Sequence, residues 1–292
     1  MSHSDFVHLH NHTEFSLIDA ASKIPQLVKR AVELKFPALA VTDHGNLFAA
    51  ISFYQEAMRQ GVKPILGIEA YIAPGSRFDK TAHGIKEASF HITLLCKNEV
   101  GYRNLMKLTT ASYLEGFYYR PRIDKDLLRE HSEGLIALSG CLKGEVSYYT
   151  WNDRLDEARR AIREWIEIFG PEQFYLELMD HNINAQKKLH EHYPKLAKEF
   201  GLKLVATNDC HYIHQTDAPA HDALICIGAG SMISDEDRMR YHGNNYYLKS
   251  AEEMKKIFHE YPQALRQTLE IAEQCNLELD FKKSKVSNNC SG

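Results

Sequence analysis

The chain has 292 residues, 44% hydrophobic and 25% charged, the proportions of an ordinary globular protein with room for one large domain or two small ones. Its formal net charge of −4, with histidine neutral, excludes the basic surface of a long-duplex binder but not a nucleic-acid end held through bound cations. The six cysteines are scattered without a CxxC pair and fit reduced thiols better than a disulfide framework; with no signal-peptide core and no transmembrane-length apolar run, a cytoplasmic protein is expected.

In chain order, the first segment is Phe6-Val7-His8-Leu9-His10-Asn11-His12, where a first strand is expected. A period of two would put His8, His10 and His12 on one face. Stacked imidazoles add little to a core, but they make sense around a cation. Ser22 is placed to cap a helix with Ile24, Leu27, Val28, Ala31 and Leu34 on one face. A short buried strand, Pro37 to Val41, leads into Thr42-Asp43-His44-Gly45-Asn46, and a helix from about Leu47 stops at Gly61. Strands are predicted over Ile65–Ile72 and Phe90–Leu95, flanking a polar loop from Pro74 to about Ser89, and a helix over Tyr102–Tyr113. The pattern repeats as a strand at Gly134–Cys141, a helix at Leu155–Phe169, a strand at Phe174–Met179, a helix at Ala185–Phe200 and a strand at Leu202–His211. About seven strand–helix units imply an α/β fold with a parallel sheet closed, or nearly closed, into a barrel over roughly residues 6–215. Residues 216–281 read as helices and loops packed outside it. Residues 282–292 are polar and aperiodic, a disordered linker or expression remnant.

Residues able to bind metal fall at the ends of successive predicted strands: His10 and His12, Asp43 and His44, Glu69, His91, Cys141, Asp209 and His211. Singly each has an ordinary explanation. Asp43 can cap a helix, His91 can be a satisfied core histidine, and Cys141 can be a small buried hydrophobe. Such a residue at nearly every strand end, on the rim where barrel enzymes build their sites, argues for a cluster. Histidine, carboxylate and one thiolate suit Zn²⁺, Mn²⁺ or Fe²⁺ better than Mg²⁺ or Ca²⁺, and nine candidates imply two or three ions. Clusters of that kind mostly hydrolyse phosphoesters.

His10-Asn11-His12, Thr42-Asp43-His44-Gly45-Asn46 and Ala206-Thr207-Asn208-Asp209-Cys210-His211 resemble the motifs of the PHP (polymerase and histidinol phosphatase) superfamily. Gly67-Ile68-Glu69-Ala70-Tyr71 and Leu138-Ser139-Gly140-Cys141 narrow the resemblance to the PHP domain that begins bacterial C-family replicative polymerases, the DNA polymerase III alpha subunits, over Phe6 to Phe281. The resemblance implies a distorted (β/α)7 barrel with a trinuclear metal centre. Its ligands would be His10, His12, Glu69 and Asp209 for one ion; Glu69, His91 and Cys141 for a second; and Asp19, His44 and His211 for the third. It adds Asp19, which the strand pattern passes over, moves Asp43 to a supporting place behind the ligands, and gives His8 no ligand role.

Retention of all nine ligands resembles those alpha subunits whose PHP domain is a metal-dependent 3′–5′ exonuclease that proofreads DNA. The implied partners are a single-stranded or frayed DNA 3′ end, the remainder of the alpha subunit and, through it, replisome proteins such as the sliding clamp. The polymerase core has no counterpart in this sequence, so no polymerisation by this chain is expected. The alternatives are a metal-stabilised structural module bracing the polymerase, and a small-molecule phosphatase of the histidinol-phosphatase type. Tyr118, Tyr119, Arg120 and Arg122 could stack on a base and grip phosphate, although an ordinary loop surface is favoured slightly.

Overall fold

A computed structural model describes residues 3–17, 19–241 and 243–281. The expectation of a polar tail at 282–292 lies outside the described residues. Seven strands form one curled sheet: β1 (Ala38–Val41), β2 (Lys63–Ile72), β3 (Phe90–Cys96), β4 (Arg122–Ile123), β5 (Leu135–Leu138), β6 (Phe174–Leu178) and β7 (Lys203–Ala206). The order is β1-β2-β3-β5-β6-β7, with the short β4 beside β2.

The period-two rule explains how the sheet is buried on both faces. Ala38, Ala40, Ile65, Leu95, Ile136, Leu138, Tyr175 and Val205 point inward and pack on one another. The alternate residues, such as Leu39, Leu66, Ile68, Leu94, Leu176 and Ala206, point outward under the helices. The same parity turns Glu69, His91, Thr93 and Glu177 into the interior.

Not all strands are parallel. β3 runs antiparallel to both β2 and β5, with Glu69 opposite Thr93 and Tyr71 opposite His91. Its beginning rather than its end therefore reaches the rim, and this is where His91 sits. The histidine segment is not a ladder strand, but it is hydrogen-bonded on both sides. Ala40 N donates to His8 O (3.0 Å) and Thr42 N to Asn11 O (2.8 Å) on one side; on the other, Cys210 N donates to His10 O (3.2 Å) and His12 N to Cys210 O (2.8 Å). It thus bridges β1 to the chain beyond β7. The predicted count of seven strands holds with different membership, β4 replacing the histidine run.

The helices are α1 (Ile24–Glu33), α2 (Ala50–Gln60), α3 (Glu99–Leu114), α4 (Lys125–His131), α5 (Glu145–Trp151), α6 (Leu155–Phe169), α7 (Asn184–Phe200), α8 (Ala218–Ala229), α9 (Ala251–Ile257) and α10 (Pro262–Gln274). The pattern missed α4 and α5, each only 7 residues long and too short to show a helical period. Gly61 ends α2 at φ 77° as expected. Ser22 does not cap α1: the N-cap is Lys23, which makes no side-chain cap, and the buried Ser22 hydroxyl has no partner. Pro25 in the first turn instead removes an N–H that would need one.

Nor is the last part of the chain merely outside the barrel. Ile271 and Ala272 of α10, with Cys275 just beyond it, pack against the inward side chains, and Val7 N donates to Thr268 Oγ1 (3.1 Å). α10 therefore closes the barrel at the end opposite the histidines. No disulfide forms among the described cysteines, and no described helix is long and apolar enough to cross a membrane.

Candidate metal centre

Glu69 stands at the middle of the rim. Its Oε1 lies 2.9 Å from His91 Nδ1 and 3.7 Å from His10 Nε2; its Oε2 lies 2.8 Å from His44 Nδ1 and 3.5 Å from His12 Nε2. One carboxylate thus faces four imidazoles while being 1% exposed. Burial alone would raise its pKa, but His91, His44 and His10 together hold it well below the ordinary carboxylate value.

Asp209 adds a second carboxylate. Its Oδ1 is 3.1 Å from His12 Nε2 and 3.4 Å from His10 Nε2. The residue takes a left-handed backbone (φ 45°), unusual outside glycine, which turns its carboxylate toward the histidines. On the other flank His44 Nε2 is 2.9 Å from Asp19 Oδ2, and the Tyr241 hydroxyl reaches both Asp19 Oδ1 (3.0 Å) and His211 Nε2 (2.9 Å). Cys141 Sγ is 3.8 Å from His91 Nδ1. The nine side chains named by the resemblance therefore lie in one cluster.

The tautomers explain why the cluster calls for a cation. His10 Nδ1 faces Glu177 Oε1 at 2.8 Å; a carboxylate only accepts, so Nδ1 donates and Nε2 turns its lone pair inward. Ser16 Oγ donates to Asp43 Oδ1 (2.7 Å), so His12 Nδ1 donates to Ser16 Oγ (3.1 Å) and its Nε2 also points inward. Those two nitrogens face Glu69 and Asp209 with nothing positive between them. Among the described residues buried His10 Nε2 has no hydrogen-bond partner, and the His44 ring nitrogens meet Glu69 Oε2 and Asp19 Oδ2 at ion-pair distance but without hydrogen-bond geometry. Unpaired buried groups are costly, and a divalent ion satisfies them together.

Protons answer the same demand when no ion does. Burial opposes charge on His10, yet Glu177, Asp209 and Glu69 raise its pKa well above the ordinary histidine value. Burial opposes charge on His44 too, but Glu69 and Asp19 push it up to about 10. Among the described residues three ligand triads have donor atoms close enough to share an ion: His10, His12 and Glu69; His44, Glu69 and His91; His12, His44 and His211. The first matches the expected grouping. In the other two, His44 or His12 stands where Cys141 or Asp19 was expected.

Several supporting residues escaped the sequence pattern. Glu177 is buried; its Oε1 also accepts from Thr207 Oγ1 (2.6 Å) and its Oε2 from Gly140 N (2.9 Å). It thus ties His10 to the turn carrying Cys141. That turn needs Gly140, at φ 82°, where a Cβ would lie 2.9 Å from His91 O. A glutamate inside the apolar run Phe174-Tyr175-Leu176-Glu177-Leu178 was the available signal. Glu177→Gln is expected to weaken metal binding about 10- to 100-fold with little loss of fold, checked by metal titration and circular dichroism.

Asp43 takes the supporting place the resemblance gives it, accepting from Thr13 N (2.6 Å), Thr13 Oγ1 (2.7 Å) and Ser16 Oγ and acting on His12 through Ser16. His8 leaves the face it was expected to share. Its Nε2 donates to Lys249 O (2.8 Å), and its ring packs edge-on against Phe6 and Phe36. Arg122 is not a phosphate grip, being fully buried and donating to the carbonyls of Gly116, Ala88, Arg77 and Asp79. Arg120 is paired with Glu87 at 3.0 Å. Tyr119 is 67% exposed and remains a surface side chain, its ring packed edge-on against Tyr118.

The PHP domain family matches residues 8–181, more than half of the chain, and the chain belongs to that family. It is 47% identical over 279 residues to the DNA polymerase III subunit alpha of Borreliella burgdorferi, covering 96% of the chain and 24% of that protein. It is 47% identical over 290 residues to the same subunit of Helicobacter pylori strain J99 (96% and 24%), and 45% over 287 residues to that of Thermus aquaticus (96% and 23%). The chain spans about a quarter of the length of these relatives.

Proposed function

We propose that this chain is the metal-dependent phosphoesterase domain of a cytoplasmic bacterial DNA polymerase III alpha subunit, and that it removes nucleotides from DNA 3′ ends in the 3′–5′ direction. One observation carries the reading: the buried imidazoles of His10 and His12 aim their Nε2 atoms at the carboxylates of Glu69 and Asp209, and His10 Nε2 has no hydrogen-bond partner among the described residues. Two or three divalent ions, of zinc, manganese or iron, would be held by His10, His12, Asp19, His44, Glu69, His91, Cys141, Asp209 and His211. Such ions supply positive charge for phosphate oxygens and acidify water for attack on phosphorus.

The chain's own part is to hold ligands in place. Glu177 and Ser16 fix the tautomers of His10 and His12. Thr93 Oγ1, 3.2 Å from His10 Nδ1, further restrains that ring. The relatives' length supports a larger parent chain as partner, with the replisome and its sliding clamp reached through it.

The test is direct. Purified protein with Mn²⁺ or Zn²⁺ should shorten a 3′-labelled single-stranded primer, and Asp19→Asn, Glu69→Gln and Asp209→Asn should each abolish this. Equal trace activity in wild type and variants would mean contamination and would end the reading. Metal-dependent melting without hydrolysis of any DNA would instead make the domain a structural brace, and faster turnover of histidinol phosphate than of DNA would make it a small-molecule phosphatase.

A further inference from the structure

The rim opens into a cleft of about 200 Å³, one side of which is His44, Glu69, His91, Cys141, Asp209 and His211 of the cluster itself. That is less than the roughly 300–1,000 Å³ usual for drug-sized ligands, so the occupant is small. The wall away from the cluster is aliphatic: Leu142 from the turn after β5, Met179 after β6, Ile183 before α7 and Met239 from the segment between α8 and α9. Met239 is 47% exposed and Ile183 half-buried, while Met179 is buried and Leu142 also packs against the core, so three connections supply the four side chains. At the mouth stand two cations. Lys143 is exposed and its ammonium makes no hydrogen bond or ion pair among the described residues, although its charge acts on His91 and Cys141. Arg240 uses one donor on Asp235 O (2.7 Å) and, among the described residues, has others without a partner.

The polar groups of this wall are spoken for. His181 N donates to Gln186 Oε1 (2.7 Å), Gln186 Nε2 meets His181 Nδ1 (2.9 Å), and His181 Nε2 donates to Asn208 O (2.9 Å). The Tyr246 ring stacks on His181 with centroids 3.9 Å apart. Its hydroxyl both donates and accepts, so it tells no base edge from another. Thus an apolar slot flanked by two phosphate-seeking cations lacks the fixed donor–acceptor pattern that reading a base requires.

We propose that this cleft is a nucleobase slot without base preference: Leu142, Met179, Ile183 and Met239 hold the 3′-terminal base of a DNA strand while Lys143 and Arg240 face the phosphate on its 5′ side. The proposal rests on the phosphoesterase reading and deepens it, because a slot of this size admits one unpaired base and no base pair. Burying the faces of a base against aliphatic side chains contributes on the order of tenfold in affinity, at about 25 cal/mol per Å² of apolar surface.

The experiment measures binding first. Calorimetric titration of the Mn²⁺-loaded protein with the four deoxynucleoside monophosphates should give affinities within about threefold of one another, and deoxyribose 5-phosphate should bind about tenfold more weakly. Ile183→Ser and Met239→Ser should bring the nucleotides down toward deoxyribose 5-phosphate while leaving metal binding unchanged. Lys143→Gln should weaken all five ligands alike. Equal binding of deoxyribose 5-phosphate and nucleotides, or a preference above tenfold for one base, would overturn the slot. Excision from strands ending in each base or in an abasic residue follows as a second readout. Nucleotide binding as expected with no excision would leave the slot standing and remove the exonuclease reading instead.

Discussion

Arg122→Ala is expected to lower the unfolding free energy by about 3–5 kcal/mol, measured by urea denaturation of the metal-free protein. Arg122 is fully buried, and its guanidinium donates to Gly116 O (3.1 Å), Ala88 O (3.1 Å), Asp79 O (2.7 Å) and, at 3.4 Å, Arg77 O. Removing it leaves acceptors buried without donors, each costing about 1–3 kcal/mol, partly relieved by entering water. It also frees the 76–89 loop from β4, whose partner strand β2 carries Glu69. Arg122→Lys, with one compact ammonium in place of a planar fork, should recover only part of the loss. A change below about 1 kcal/mol in the alanine variant would show that the arginine is dispensable and the loop holds itself.

Glu69→Gln is expected to abolish the stabilisation that metal gives. An ion that binds only the folded protein adds about 2.7 kcal/mol when present at 100 times its Kd, seen as a rise in Tm with added Zn²⁺ or Mn²⁺. Glu69 is the carboxylate common to four imidazoles, so its amide should bring that rise close to zero and cut any phosphodiesterase activity by at least about 100-fold. Glutamine keeps the shape, so near-ultraviolet circular dichroism without metal should stay close to wild type. A variant that gained as much Tm from Zn²⁺ as the wild type does would place the ions elsewhere.

The periodicity of the chain carried most of this architecture. α6 runs over Leu155–Phe169 as predicted, and the alternation in β2 and β3 turns Glu69 and His91 into the barrel because apolar burial leaves odd and even residues no choice of face. What stayed hidden was set by tertiary structure. Strand direction leaves no local mark, so the reversal of β3 could not be read. Two-residue β4 is too short to alternate, and Arg122 in it looks like any surface arginine until four carbonyls surround it. Asp19 sits in a turn with no period, and only family resemblance placed it among the ligands. Tyr241 is brought to Asp19 and His211 by a segment of irregular backbone, and no spacing rule links residues 222 positions apart.

The way the barrel closes also bears on its birth at the ribosome. Val7 to His12, synthesised before the rest of the barrel, find their partners on β1 early, but their other side waits for Cys210 and their far end for Thr268. The inward apolar layer is sealed only when Ile271, Ala272 and Cys275 have emerged. A nascent chain reaching only residue 181, the end of the matched family span, therefore has most of its helices but an open barrel and histidines with half their bonds. The metal-binding end made first is the last to be fixed, and the stretch most in need of shelter during synthesis is the one that later holds the ions.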